Sequence, residues 1–502
     1  MLSNKHIDTK SIDKDLERLG FFGDAAEAMG RRLSGLGLAL VFLTLCVAVA
    51  AFTVTSVELS DALILASASA IAGYMALNIG ANDVANNVGP AVGARVLSLT
   101  GALVIAAICE SAGALLAGGE VVSTVSRDIF SPDDVPDSFS FVQAMLTAMV
   151  AAALWINFAT YVGTPVSTTH SIIGGIVGAG IAASSVAAIN WTTFSTIAAT
   201  WVISPVLGGL VAAALMAFIN ARLLYVDDKL EAARFWLPAL LGALGGVFSA
   251  YVFFKATDRA SMVPDWLALP LSLAIGFVIW WGYRRIVASQ LYDLENSARA
   301  LRDLFTIPLM VTAALLSFAH GANDVANAIG PLAAIVQSQS LELQDLSTWF
   351  GSAEETRVPI WVTAVGAFGI SAGLLLFGRR LVTVVGKKIT KLSPIRAFCI
   401  TLATAATVLT ASGLGLPVST THIAVGAVFG VGFYREWHRN RYIPEGGKLR
   451  QRKFVRNREE RRRRLLVRRT ALFSIVAAWI VTVPAAALLA AVLYNILGYF
   501  WT

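Results

Sequence analysis

Asp83 and Asp324 occupy the same place in two nearly identical strings, GANDVANNVGP (Gly80–Pro90) and GANDVANAIGP (Gly321–Pro331). Asparagines flank each: Asn82 and Asn86 in the first, Asn323 and Asn327 in the second. Both strings adjoin strongly apolar runs. An ionised carboxylate in a membrane costs at least ~2.5 kcal/mol on insertion scales, so each of these needs a partner. A carboxylate among amide and backbone oxygens is a hard-oxygen ligand set, suited to Na⁺ or to a proton. The alternative is an Asp capping a helix end and an Asn packing a turn. Intramembrane carboxylates are functional by default, which favours a Na⁺ or proton site at Asp83 and Asp324.

A second string, PVSTTH, occurs at Pro165–His170 and recurs letter for letter at Pro417–His422. Proline suits the first turn of a helix, where its missing N–H costs nothing. The hydroxyls that follow lie beside the free N–H groups of that turn, where the helix dipole adds partial positive charge. That makes an anion site. Two such turns entering from opposite faces would cradle one anion at the midplane, with Ser167, Thr168, Thr169, Ser419, Thr420 and Thr421 as its donors. His170 and His422 could donate to the anion or relay a proton; a histidine bonded to a backbone carbonyl is the competing reading. His320, just before the second GAND string, carries less weight. Glu110 lies inside an apolar span, and its counterpart in the second half is Ile370. This unmatched charge reads as a further ion or proton site, or as a locally paired side chain.

These residues need a membrane scaffold. Of 502 residues, 56% are apolar and 14% charged, against about 25% charged in a soluble domain. Mean hydropathy is +0.69. A disulfide scaffold, a disordered chain and an ordinary cytosolic enzyme are excluded. Cys46, Cys109 and Cys399 stand alone in apolar runs and form neither a disulfide framework nor a zinc site. The net charge of +7 does not mark a nucleic-acid binder. Arg435–Arg469 alone holds fifteen Lys/Arg and four Asp/Glu, which leaves the rest of the chain at −4. Such a stretch reads as a cytoplasmic loop facing lipid headgroups.

The expected fold is all-α and polytopic, with about 11–12 transmembrane helices and two broken or re-entrant hairpins. Candidate spans are 34–55, 61–79, 91–118, 141–163, 196–219, 235–256, 264–283, 304–319, 358–377, 397–415 and 471–497. The short pieces 165–182 and 417–435 begin at proline and are rich in glycine. No strand pattern stands out. Four matched strings in one order indicate two homologous halves: the two GAND copies, ESAG with ISAG, the two PVSTTH copies, and TWVISP with AWIVTVP. The loop before the first GAND string has no basic residue, whereas the loop before the second has Arg284, Arg285, Arg299 and Arg302. The positive-inside rule therefore makes the repeats inverted, as in secondary transporters that bind substrate near the midplane. The boundaries are a cytosolic tail (1–33), an extra helix (34–55), repeat one (61–219), connector helices with a cytosolic loop (220–303), and repeat two (304–497) with the basic loop 435–469. The N-terminus is cytoplasmic, and the first apolar run is a span rather than a cleaved signal.

The paired GANDVAN and PVSTTH strings and the inverted duplication resemble the inorganic phosphate transporter (PiT) family over residues 61–219 and 304–497. The resemblance implies symport of inorganic phosphate with Na⁺ or H⁺ across the plasma or inner membrane. It implies coupling roles for Asp83 and Asp324, phosphate contacts from the Ser/Thr residues of PVSTTH, and a glutamate needed for transport at Glu110. It implies no enzyme activity and no prosthetic group. Two departures are the added N-terminal segment and the stretch CITLATAATVL, where animal relatives carry a glutamate and this chain has Thr401, Thr404 and Thr407. The coupling ion therefore stays open, and so does sulfate as the anion. Energetics favours a symporter independently: each charge moved against 100 mV costs about 2.3 kcal/mol, so dianion uptake needs co-transported cations. An anion channel would not need paired carboxylates, and an intramembrane hydrolase would need a third group beside Ser and His. The sequence allows a homo-oligomer without specifying one.

Overall fold

The computed structural model of the chain describes residues 33–52, 59–162, 166–257, 264–292, 294–338, 358–388, 392–445, 448–451 and 469–501. The expected cytosolic tail, most of the loop 338–357 and residues 452–468 of the basic loop lie outside the described residues. Among the described residues, eleven helical segments are long and apolar enough to cross a bilayer. Each expected span has a helical counterpart among them. Helices are the outcome because, in hydrocarbon, every backbone group must be bonded within its own segment.

The first half contains α1 (Leu33–Phe52), α2 (Leu59–Gly93), α3 (Leu99–Ala117), the short α4 (Gly119–Ser123), α5 (Ser138–Val162), α6 (Thr168–Ala183) and α7 (Trp191–Ile219). A connector pair follows, α8 (Lys229–Thr257) and α9 (Asp265–Gln290), then the short α10 (Ala298–Leu304). The second half contains α11 (Thr306–Ser338), α12 (Ile360–Lys388), α13 (Pro394–Gly413), α14 (Thr420–Arg441) and α15 (Arg469–Trp501). Tyr442–Glu445 and Lys448–Gln451 pair as a short antiparallel ribbon, a local hairpin that hydropathy could not reveal.

Two local readings need correction. The GAND strings are not at helix ends. α2 and α11 run straight through them, with Pro90 and Pro331 inside the helices. Hydropathy ended the spans at 79 and 319 because the motif is polar; the helices continue because that polar face meets other polar groups inside the bundle. The short helices also do not open on proline. Ser167 and Ser419 are their N-caps, and each serine Oγ accepts from the backbone N–H three residues on, His170 at 3.2 Å and His422 at 3.4 Å. Pro417 lies two residues before its cap, while Pro165 falls outside the described residues. Serine wins because its side chain satisfies one of the free N–H groups of the first turn, which proline cannot do.

The halves are interlocked by equivalent crossings. α2 packs on α12, and its counterpart α11 packs on α3. α14 packs on α7, and likewise α6 packs on α15. Glycine permits each contact. A Cβ on Gly80 would overlap the Ile370 carbonyl, and one on the equivalent Gly321 would overlap the Glu110 carbonyl. Helices in lipid gain stability from such close backbone approach. Gly321→Val is therefore expected to push α11 off α3 and lower stability by about 1–3 kcal/mol or more. The check is a thermal melt of detergent-solubilised protein, with Gly282→Ala, where a Cβ meets nothing within 4 Å, as the silent control.

Candidate functional site

The middle of α2 and α11 and the starts of α6 and α14 converge on one buried cluster. Asp83 and Asp324 are each 1% exposed. Carboxylate oxygens of both, with a ring nitrogen of His320, lie within 4.8 Å of one another. Asp83 accepts from Thr168 Oγ1 at 3.2 Å and from Thr421 Oγ1 at 3.2 Å. Asp324 accepts from Thr420 Oγ1 at 3.2 Å and from Thr168 Oγ1 at 3.5 Å. Each aspartate is thus held by hydroxyls from both short helices, one from each half of the chain.

The asparagines lace the same elements together. Asn86 donates to Thr421 Oγ1 at 2.8 Å, and the equivalent Asn327 donates to Thr169 Oγ1 at 3.0 Å. Asn82 donates to Thr160 at the end of α5 at 3.2 Å. Asn323 contacts Ser412 Oγ at 3.0 Å, the Val418 carbonyl at 2.8 Å and Asp324 Oδ1 at 3.0 Å, in the amide orientation that gives both ends a partner. The four amides therefore fix where the tips of the two hairpins stand against α2 and α11. Thr169 Oγ1 donates to the Val418 carbonyl at 3.0 Å, and Trp201 Nε1 to the Pro417 carbonyl at 3.3 Å, so the first half also holds the second PVSTTH segment.

The remaining expected residues take different places. Ser167 and Ser419 use their side-chain oxygens as caps. His170 and His422 pack ring to ring at 4.8 Å, with Trp201 4.0 Å from His170. Both lie one step behind the threonines. Neither nitrogen of His170 has a hydrogen-bond partner among the described residues, so it is not the carbonyl-bonded histidine of the competing reading. Thr401, Thr404 and Thr407 each donate to a carbonyl of their own helix, at 3.0, 2.8 and 2.8 Å.

His320 and Asn87 complete the cluster. His320 Nε2 lies 3.1 Å from Asp324 Oδ2 and 3.8 Å from Asp83 Oδ2, while its Nδ1 lies 3.4 Å from Glu110 Oε2. Asn87 donates to Glu110 Oε1 at 2.7 Å. Both His320 and Glu110 are fully buried. Read singly, His320 carried little weight and Asn87 none. The missed signal is in the comparison of the halves. The counterparts of Asn87, Glu110 and His320 are Ala328, Ile370 and Ile79. These three polar residues, each without a polar mate, meet at one crossing. The equivalent crossing is apolar, with Ile79 and Ile370 both buried. The duplication supplies a nearly symmetric pair of aspartates, and a one-sided polar extension leads from them to Glu110.

The cluster joins acid side chains and hydroxyl donors from both halves of the chain. The model of the phosphate transporter family matches residues 79–490. A Helicobacter pylori (strain J99) protein named "Putative phosphate permease" is 42% identical over 489 residues, covering 88% of this chain and 91% of its own. A relative of the same description from Thermococcus kodakarensis is 34% identical, covering 84% and 95%. A solved structure described as the sodium-dependent phosphate transporter superposes with a TM-score of 0.74 at 32% identity, covering 87% of this chain and 99% of its own. The chain belongs to the phosphate transporter family.

Proposed function

We propose that this protein is a secondary active transporter that carries inorganic phosphate inward together with cations, across the plasma or inner membrane and with its N-terminus in the cytosol. One observation carries the reading: the threonines suited to an oxyanion are bonded to the aspartates suited to a cation. An oxyanion reaching Thr168, Thr420 and Thr421 meets two carboxylates at the same spot. Two unit charges about 4 Å apart repel by roughly 4 kcal/mol at an effective dielectric of 20. Phosphate therefore binds only once cations neutralise Asp83 and Asp324, and that requirement is coupling. The threonine hydroxyls then turn from the carboxylates to the anion, beside the free N–H groups of the α6 and α14 first turns.

Na⁺ is the coupling ion in this reading. The donors are carboxylate, hydroxyl and amide oxygens, and the matching solved structure is described as sodium-dependent. A proton is the second reading, favoured by His320, which sits within 3.8 Å of all three acids. As an imidazolium it could donate from both ring nitrogens. Labelled phosphate uptake into proteoliposomes under separate Na⁺ and pH gradients, with excess sulfate as competitor, tests the proposal. Uptake driven by the Na⁺ gradient and indifferent to sulfate is the expected result. Uptake driven by pH alone moves the assignment to the proton. Blockage by sulfate moves it to a sulfate carrier, and flux without any gradient to a channel.

A further inference from the structure

Beyond its aspartate, α2 carries a second polar feature. Tyr74, Asn78, Asn82 and Asn86 recur every fourth residue, so they form a stripe about 18 Å long that winds slowly along the helix. Asn157 and Thr160 of α5 meet it. Asn157 donates to the Tyr74 hydroxyl, and Thr160 accepts from Asn82 at 3.2 Å. None of these six residues is buried, and Tyr74 is 40% exposed. The stripe ends in the transport cluster, where Asn86 donates to Thr421 Oγ1 at 2.8 Å and to Asp83 Oδ1 at 3.4 Å.

The other half does not repeat this opening. The counterparts are Leu315, Ala319, Asn323 and Asn327 on α11, with Leu409 and Ser412 on α13, and each is at most 9% exposed. The approach there is shut. Gly415, at φ +70° in the turn before α14, lies where a Cβ would meet Thr124 Oγ1 at 3.3 Å and the Glu120 carbonyl at 3.5 Å. Lys255 of α8 pairs with Glu120 at 3.2 Å beside that turn. The cluster is thus sealed on the side of the second half and reached from the side of the first.

An accessible polar stripe in a membrane helix has two readings. Side chains that bond across helices can act as glue, worth about 1 kcal/mol per bond. Glue belongs between the helices, because amide atoms left facing hydrocarbon are costly. Asn157 bonds Tyr74 yet both stay accessible, so their remaining polar surface calls for water. Leu154 and Phe158, 46% and 58% exposed, are the positions of the same turns of α5 suited to lipid. The chemistry of the stripe also suits traffic. A phenol, four amides and a hydroxyl offer donors and acceptors without net charge. A fixed charge would hold one ion and repel the other, whereas a symporter has to pass both.

We infer that the crevice between α2 and α5 is the water-filled route by which a small oxyanion and its cations reach Asp83 and Thr421, with Asn78 and Asn157 replacing part of their hydration on the way. What travels along it rests on the transport reading; where water lies does not.

The test is thiol modification in nanodiscs, on single-cysteine variants made with Cys46, Cys109 and Cys399 replaced by alanine. Asn78→Cys and Asn157→Cys are expected to react with both cationic and anionic methanethiosulfonates at least about tenfold faster than Phe158→Cys, the lipid-facing control. Na⁺ together with phosphate should slow the reaction. Asn157→Leu, which copies its mate Leu409, should cut phosphate uptake in proteoliposomes at least about tenfold while the thermal melt holds. Rates no faster than those of Phe158→Cys would make the stripe interhelical glue and overturn the route. Fast modification that leaves uptake intact would overturn it as well. Wild type covers the case of variants that misfold: hydroxyl-radical footprinting in nanodiscs should oxidise Tyr74 well above Phe158, and equal oxidation overturns the proposal. Neither labelling readout depends on uptake, so a failure of the route and a failure of the transport reading show separately.

Discussion

Asp324→Asn is expected to cut gradient-driven phosphate uptake by at least about a hundredfold, a barrier change of roughly 2.7 kcal/mol, while the protein still inserts and folds. Asp83→Asn should behave alike, because the two aspartates are equivalent in position and share the Thr168 hydroxyl. Asparagine keeps the volume and one acceptor oxygen. It removes the charge and turns a donor toward hydroxyls that already donate. Thr420 and His320 at Asp324, or Thr168 and Thr421 at Asp83, then lose part of their acceptor. A cation loses its charged ligand, and phosphate binding loses its dependence on that cation, so the ion gradient no longer drives uptake. Uptake in proteoliposomes, set beside the thermal melt and the yield of monodisperse protein, separates the two effects. Normal ion-dependent uptake by either variant would remove the aspartates from the coupling role.

Much of this arrangement was legible because duplication writes it twice. GANDVAN and PVSTTH each appear at two places, and apolar runs of bilayer length mark the helices that carry them. Hydropathy failed where polar residues sit inside a spanning helix. It stopped at 79 and 319 because it weighs composition and not the partner face, whereas Asp83 and Asp324 are tolerated mid-helix by hydroxyls from other segments. The rule that proline opens helices misplaced the start of α14, because a serine two residues later offers the better cap. Asn87 was overlooked, and His320 given little weight, for the opposite reason. Repetition drew attention to what the halves share, and these two matter where the halves differ.

That difference carries the other large prediction. Asn87→Ala, Glu110→Ile and His320→Ile together rebuild the polar crossing as a copy of its apolar counterpart, formed by Ala328, Ile370 and Ile79. The backbones should accept it. Gly321 meets the Glu110 carbonyl as Gly80 meets that of Ile370, and both crossings are buried. Replacing a buried charged cluster by well-packed apolar groups is often neutral, or stabilising by about 1–4 kcal/mol. The triple variant is therefore expected to melt no lower than wild type, yet to lose coupled uptake by at least about a hundredfold. Glu110→Ile alone should do worse in the melt, by roughly 3–5 kcal/mol, because it strands Asn87 and removes one carboxylate from a buried His320. A purely structural role for the cluster predicts the reverse for transport: the triple variant, being well packed, would carry phosphate normally. Stability and uptake moving in opposite directions is what assigns Glu110 and His320 to coupling, since in no structural account does a better-packed crossing abolish transport.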